Sequence, residues 1–233
     1  MTQLRRQFIR EFGALLQPHG FFLWQENYFR VDSEAELLWI VRMEELEGGP
    51  IVTFDLKAFC HALDERAISQ SFWQLSAFWR DIAESIDHSL LYKPACQLSA
   101  CVTALREIVL DRFVAVRTLK DFRLFREWLW GRLGGNPVNF LWDFAEAMEC
   151  MRCEEYDSAR NCLIAAHEKH LDACRKRPFL REQEEIQRRE QEILRLLKRV
   201  DEEDYATLRE ILEQRVEFSR QSIHRFFGGS VSF

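Results

Sequence analysis

The sequence predicts an α+β protein: an N-terminal helix and a small antiparallel β-meander packed on helices, followed by an all-helical hairpin region. Three observations carry this. Residues 20–59 are rich in aromatic and β-branched side chains and are broken by short polar turns. The segments on either side repeat apolar residues at helical spacing. Only 9 glycines and 5 prolines occur in 233 residues, too few for a loop-rich chain.

Composition narrows the class. The chain is 47% apolar and 13% aromatic, which is ample material for a core and argues against wholesale disorder. Its formal net charge is −6, and it carries no basic block, so no nucleic-acid partner is expected. Residues 1–12 hold three arginines and no apolar stretch of the kind a signal peptide needs. No uncharged apolar run is long enough to span a bilayer, so no membrane role is expected. The 7 cysteines are an odd number, and with no export signal they read as reduced thiols of a cytoplasmic protein.

The elements follow in order. Over residues 3–17, Leu4, Phe8, Phe12, Leu15 and Leu16 fall on one side of a helix that Pro18 and Gly20 terminate. Residues 21–24, 28–31, 37–43 and 51–56 read as four strands. Gln25-Glu26-Asn27, Asp32-Ser33-Glu34 and Gly48-Gly49-Pro50 are the turns between them. Such short connections require antiparallel pairing, and a sheet this small needs a helical cover on one face. Residues 67–87 predict one continuous covering helix, with Ile68, Phe72, Leu75, Trp79, Ile82 and Ile86 at the 3.6 period. Tyr92-Lys93-Pro94 breaks it, and helix resumes over 97–116. Thr118 and Asp121 are spaced as a helix start.

Gly134-Gly135-Asn136-Pro137 is the expected boundary between an α+β domain, 1–133, and a helical-hairpin region, 137–233. Within the second, 138–151 and 157–174 form one hairpin, and 179–200 and 203–220 form another. The tail, with Phe226, Phe227 and Phe233, is too aromatic to hang free and is expected to dock.

Two resemblances attach to particular residues. The succession Leu16-Gln17-Pro18-His19-Gly20-Phe21, Tyr28-Phe29-Arg30, Leu38-Trp39-Ile40-Val41 and Val52-Thr53-Phe54-Asp55-Leu56 resembles a bacterial family known only as a domain of unknown function. That family opens with a helix, an L-x-x-x-G-F segment and an F-Y-R segment. The likeness covers about a quarter of the chain, and it implies a fold and no activity. The second lies at Glu154-Glu155-Tyr156-Asp157-Ser158-Ala159 with Leu163 and Ala166. It is similar to the turn and second helix of a tetratricopeptide repeat, where small residues let two helices approach. One copy is visible, which implies a single tetratricopeptide-like hairpin rather than an array.

Several residue sets have the makings of a site. Cys150-x-x-Cys153 and His167-x-x-His170 have the ligand types and local spacings of a zinc site, with Cys162 and Cys174 nearby. Their helical placement favours the plainer account, buried thiols and solvated imidazoles. Cys60-His61 pairs a nucleophile with a base, yet adjacent residues point apart on either a strand or a helix. Trp24, Tyr28, Trp39 and Phe54 make either a stacking platform or ordinary sheet packing. Arg30 and Arg42 either face outward together and bind an anionic group, at a sheet-face pocket, or are ordinary surface arginines. The charge-alternating helices over 181–217 read as a solvated face, or as an arm for a partner or a homodimer.

No phosphate-binding glycine loop, dinucleotide fingerprint, H-E-x-x-H or G-x-S-x-G motif occurs. The leading expectation is a non-enzymatic protein–protein interaction module, an acidic immunity-type protein or an adaptor. The alternatives are a small zinc-binding protein and an enzyme with its pocket at the sheet face.

Overall fold

The structure, a computed structural model, describes residues 1–46, 49–69, 77–78, 102, 106, 110–132 and 140–231. Residues 134–137 and most of the helices expected over 67–87 and 97–116 lie outside the described residues. The architecture is α+β with an antiparallel sheet and a helical C-terminal region. The chain divides into two compact units. One comprises Met1–Ala58, Glu65–Gly135 and Ile223–Phe233, and the other Phe59–Asp64 with Asn136–Ser222. Two segments depart from the division at 1–133 and 137–233. Residues 59–64 bond to Ser219, and the aromatic tail packs on the sheet.

In the first unit, α1 (Gln3–Leu16) starts at Thr2, whose hydroxyl accepts from Arg5 N at 3.1 Å. Phe8, Phe12 and Leu16 are its buried stripe. A 3₁₀ turn, Gln17–His19, closes it at Gly20, where φ is +83° and the missing Cβ matters. The strands are β1 (Phe22–Trp24), β2 (Asn27–Asp32), β3 (Leu37–Leu46), β4 (Gly49–Ala58) and β5 (Ala77–Phe78), hydrogen-bonded in that order and antiparallel throughout. Trp24 pairs with Asn27 across a two-residue loop. Gln25 and Glu26 both take positive φ, the backbone of a type I′ hairpin turn. In the next turn Asp32 Oδ1 accepts from Ala35 N at 2.9 Å.

The strand at Ala77–Phe78 corrects one expectation. Residues 67–87 are not one helix: α2 (Glu65–Ser69) is short, and 77–78 pair with Thr53 and Phe54 of β4. Helical periodicity cannot register the open hydrogen-bonding edge of β4, which this strand satisfies.

The sheet is buried on both faces, whereas a cover on one was expected. The register puts Tyr28, Arg30, Trp39 and Leu56 on one face. There Tyr28 Oη donates to Ile9 O at 2.5 Å, and Trp39 Nε1 donates to Phe113 O at 3.0 Å. Phe113 lies on α3 (Asp111–Ala115). The other face carries Phe22, Trp24, Phe29, Ile40, Arg42, Asp55 and Lys57. Phe227 fills it, its ring meeting Phe22, Trp24 and Phe29 edge-on at 5.1, 5.7 and 5.0 Å between centroids. The helix α4 (Leu119–Arg132) opens with Thr118 Oγ1 accepting from Asp121 N, and Asp121 Oδ2 accepting from Arg117 N, both at 3.1 Å.

The second unit holds α5 (Phe140–Arg152), α6 (Tyr156–Lys176), α7 (Glu184–Asp201) and α8 (Tyr205–Phe226), the last turn of α8 belonging to the first unit. Helices α5 and α6 form one hairpin, α6 packs on α7, and a three-residue turn joins α7 to α8. Both hairpin turns use the same cap. Glu155 N bonds Cys150 O and Glu154 N bonds Met151 O; Asp204 N bonds Arg199 O and Glu203 N bonds Val200 O. These are Schellman closures with a glutamate, Glu154 or Glu203, in the left-handed region. The tyrosine that begins each following helix stacks on the other, Tyr156 on Tyr205, at 3.9 Å and 17°.

Candidate functional site

The second unit builds one surface cavity from three pieces of chain. Residues 59–64 are pinned first. Ser219 Oγ donates to Phe59 O and accepts from Leu63 N, both at 2.7 Å, and Arg215 Nε donates to Cys60 O at 2.8 Å. This holds Ala62 at φ +57°, a conformation that costs an L-residue about 1 kcal/mol. Next to it, His61 Nε2 meets Glu149 Oε1 at 3.1 Å, with the glutamate side chain fully buried.

An ionic network ties α7 to α8. Glu192 accepts from Arg215 at 2.6 Å through one oxygen and from Arg189 at 3.1 Å through the other. Both guanidinium groups lie over the Phe144 ring, at 4.9 and 6.0 Å. In front of the network opens a cavity of about 330 Å³. Leu196 and Ile211 supply apolar floor, and Ala62 and Phe218 apolar wall. Arg195, Gln214 and the Glu192–Arg215 pair complete the lining. Residues 192, 195 and 196 share one face of α7, and 211, 214, 215 and 218 share one face of α8.

The lining holds no cysteine, serine, tyrosine or histidine, and its one carboxylate is held by two arginines. Arg195 is exposed, and among the described residues it pairs with no acid. Phe218 keeps 43% of its surface in solvent.

The residues singled out from sequence fall elsewhere. Arg30 and Arg42 do not face outward together; they lie on opposite faces of the sheet and both are buried. Arg30 Nη1 donates to Val114 O at 3.2 Å and stacks over Trp39 at 4.3 Å. Arg42 bonds Asp55 at 3.3 Å and Ile68 O. Each side chain spends its donors on carbonyls and a carboxylate inside the fold, because both sheet faces are covered. Nor do Trp24, Tyr28 and Trp39 form an open platform. Tyr28 and Trp39 are fully buried, on the face opposite Trp24.

The cysteine–histidine set is also divided. Cys150 is buried near the end of α5 and Cys153 sits in the turn. His170 lies about 21 Å further along α6 from its start at Tyr156. His167 and His170 instead reach Glu190 of α7, each Nε2 at 3.5 Å from one carboxylate oxygen. Cys174 Sγ lies 3.7 Å from His170 Nε2. Among the described residues no three His, Cys, Asp or Glu side chains are grouped to hold a metal ion. The Cys60-His61 neighbours also part: Cys60 is buried, while the His61 ring turns to Glu149.

Arg195, Gln214, Arg215 and Phe218 went unremarked in the sequence. The available signal was Phe218, an aromatic residue on the polar side of a Glu/Arg-rich helix. No protein-family model, curated protein or solved structure matches this chain, so neither resemblance drawn from sequence gains support. Among the described residues, no helix is long and apolar enough to cross a membrane.

Proposed function

We infer that this chain is a cytoplasmic, non-enzymatic protein-interaction module of the adaptor kind, and that its second unit carries the binding surface. The α7/α8 cavity is the observation that carries this. It combines apolar lining residues, a half-exposed Phe218 and an uncommitted cation, and its one carboxylate, Glu192, is held by two arginines. Two helical hairpins with matching caps, joined by stacked tyrosines, carry this surface.

Site-specific photo-crosslinking tests the reading. Gln214 at the cavity, or exposed Glu168 as a control, is replaced by p-benzoylphenylalanine and irradiated in cells. A discrete adduct from position 214, absent from 168 and abolished by Phe218→Asp, is expected. Its partner, identified by mass spectrometry, is expected to re-form a stoichiometric complex from purified components. Identical smears from both positions, or no adduct at 214, would remove the proposal.

A further inference from the structure

We propose that the α7/α8 cavity receives an acidic linear segment of a protein partner, with an apolar side chain entering the cavity and a neighbouring carboxylate pairing with Arg195. This rests on the interaction reading above and assigns the partner's chemistry.

Charge complementarity makes the choice. Glu192 is already neutralised by Arg189 and Arg215. Gln214 donates to Glu210 at 3.3 Å, one residue before Ile211 of the lining. Among the lining residues, Arg195 and Arg215 against Glu192 leave one positive charge in excess, in a chain whose net charge is −6. Among the described residues, Arg195 is the lining cation that pairs with no acid. A basic segment laid here meets like charge at Arg195, whereas an acidic one completes an ion pair beside the apolar lining.

An extended segment of a few residues matches the length of the site. The lining residues of α8, from 211 to 218, span about 10 Å of helix, which three residues of extended chain cover. A volume of about 330 Å³ takes one large apolar side chain, with Leu196, Ile211 and Phe218 around it. The arrangement is that of an anchor residue buried in a pocket with a polar contact at its rim.

Fluorescence anisotropy on the full-length chain tests this with three labelled peptides. The first is Asp-Glu-Asp-Leu-Phe-Asp-Glu. The second has lysine for every acid, and the third has alanine for Leu and Phe. Saturable, salt-weakened binding of the first, at least about tenfold tighter than either other peptide, is expected. Arg195→Glu is expected to weaken it at least about fivefold and Arg195→Lys by less than about threefold. Both variants are checked for wild-type melting, which the exposed position of Arg195 favours. Equal binding of the lysine peptide, no binding of the acidic one, or indifference to Arg195→Glu overturns the proposal. If the acidic peptide fails while the position-214 crosslink persists, the partner chemistry is wrong and the module stands. If both fail, both readings fall.

Discussion

Gly13 and Tyr28 are matched across the contact between α1 and the sheet. A Cβ added to Gly13 would stand 2.5 Å from Tyr28 Oη, closer than any real contact allows. The same oxygen donates to Ile9 O at 2.5 Å, so the phenol is held from both sides. Gly13 lies in the last turn of α1, where its carbonyl accepts from Gln17 N, and glycine inside a helix costs about 1 kcal/mol relative to alanine. The close approach of a buried tyrosine explains why it is there.

Gly13→Ala is therefore expected to destabilise the protein by about 1–3 kcal/mol despite the gain in helix propensity. Urea unfolding measures it. Combining Gly13→Ala with Tyr28→Phe, which removes the clashing oxygen, is expected to recover most of the loss. If Gly13→Ala raises the midpoint in the Tyr28 background, the close approach is wrong.

The same phenol shapes the alkaline limb of stability. Burial raises the Tyr28 pKa above its usual value of 10.0. The folded protein then keeps this proton at pH values where the unfolded chain has lost it. The associated stabilisation is whole below about pH 10 and is lost as pH rises through the folded-state value. Tyr156 is also shifted up, by burial first and then by the Glu154 charge. Tyr28→Phe is expected to flatten the fall in urea midpoint between about pH 9 and 11 in part, with the Tyr156 share remaining. An unchanged slope counts against a buried phenol at 28.

Arg42 and Asp55 form a buried pair, with side chains 6% and 0% exposed. Removing one partner of such a pair leaves an ionised group inside the fold without its counter-charge. Arg42→Ala is expected to cost about 3–5 kcal/mol. The double variant Arg42→Met with Asp55→Leu is expected to cost less than Arg42→Ala, since neither charge of the pair then remains buried without the other. Thermal melts of the set decide. A single variant within about 0.5 kcal/mol of wild type would falsify the burial of this pair.

Phe227 sits fully buried against three aromatic rings of β1 and β2. Phe227→Ala is expected to lose about 3–5 kcal/mol. Because Phe227 covers that sheet face, amide exchange at residues 22–31 is expected to accelerate more than exchange within α6. Uniform acceleration across the chain would point to global loss of stability rather than uncovering of the sheet.

Much of this architecture was legible along the chain. Local periodicity and turn chemistry are written in neighbouring residues, so α1, the meander through β4, the Thr118–Asp121 cap and the paired helices of the second unit follow from spacing alone. The aromatic tail was also legible as a segment that docks, because three phenylalanines do not stay in water at no cost. What it docks on was not: the sheet face that Phe227 fills lies some two hundred positions away in sequence. The same limit applies to Arg30 and Arg42. Alternation places them on opposite faces once the register is known, but only the helices and tail that cover both faces make each arginine a buried structural group. Cys150, Cys153, His167 and His170 share a motif in one dimension, while the length of α6 separates Cys153 from His170 and brings Glu190 of another helix to the histidines. The cavity at Phe218 exists because residues 59–64 are held by Ser219 and Arg215 across about 155 positions of chain. Composition and spacing determine which elements form; which side chains are brought together is decided by packing between elements distant in sequence, and the candidate site belongs wholly to that second category.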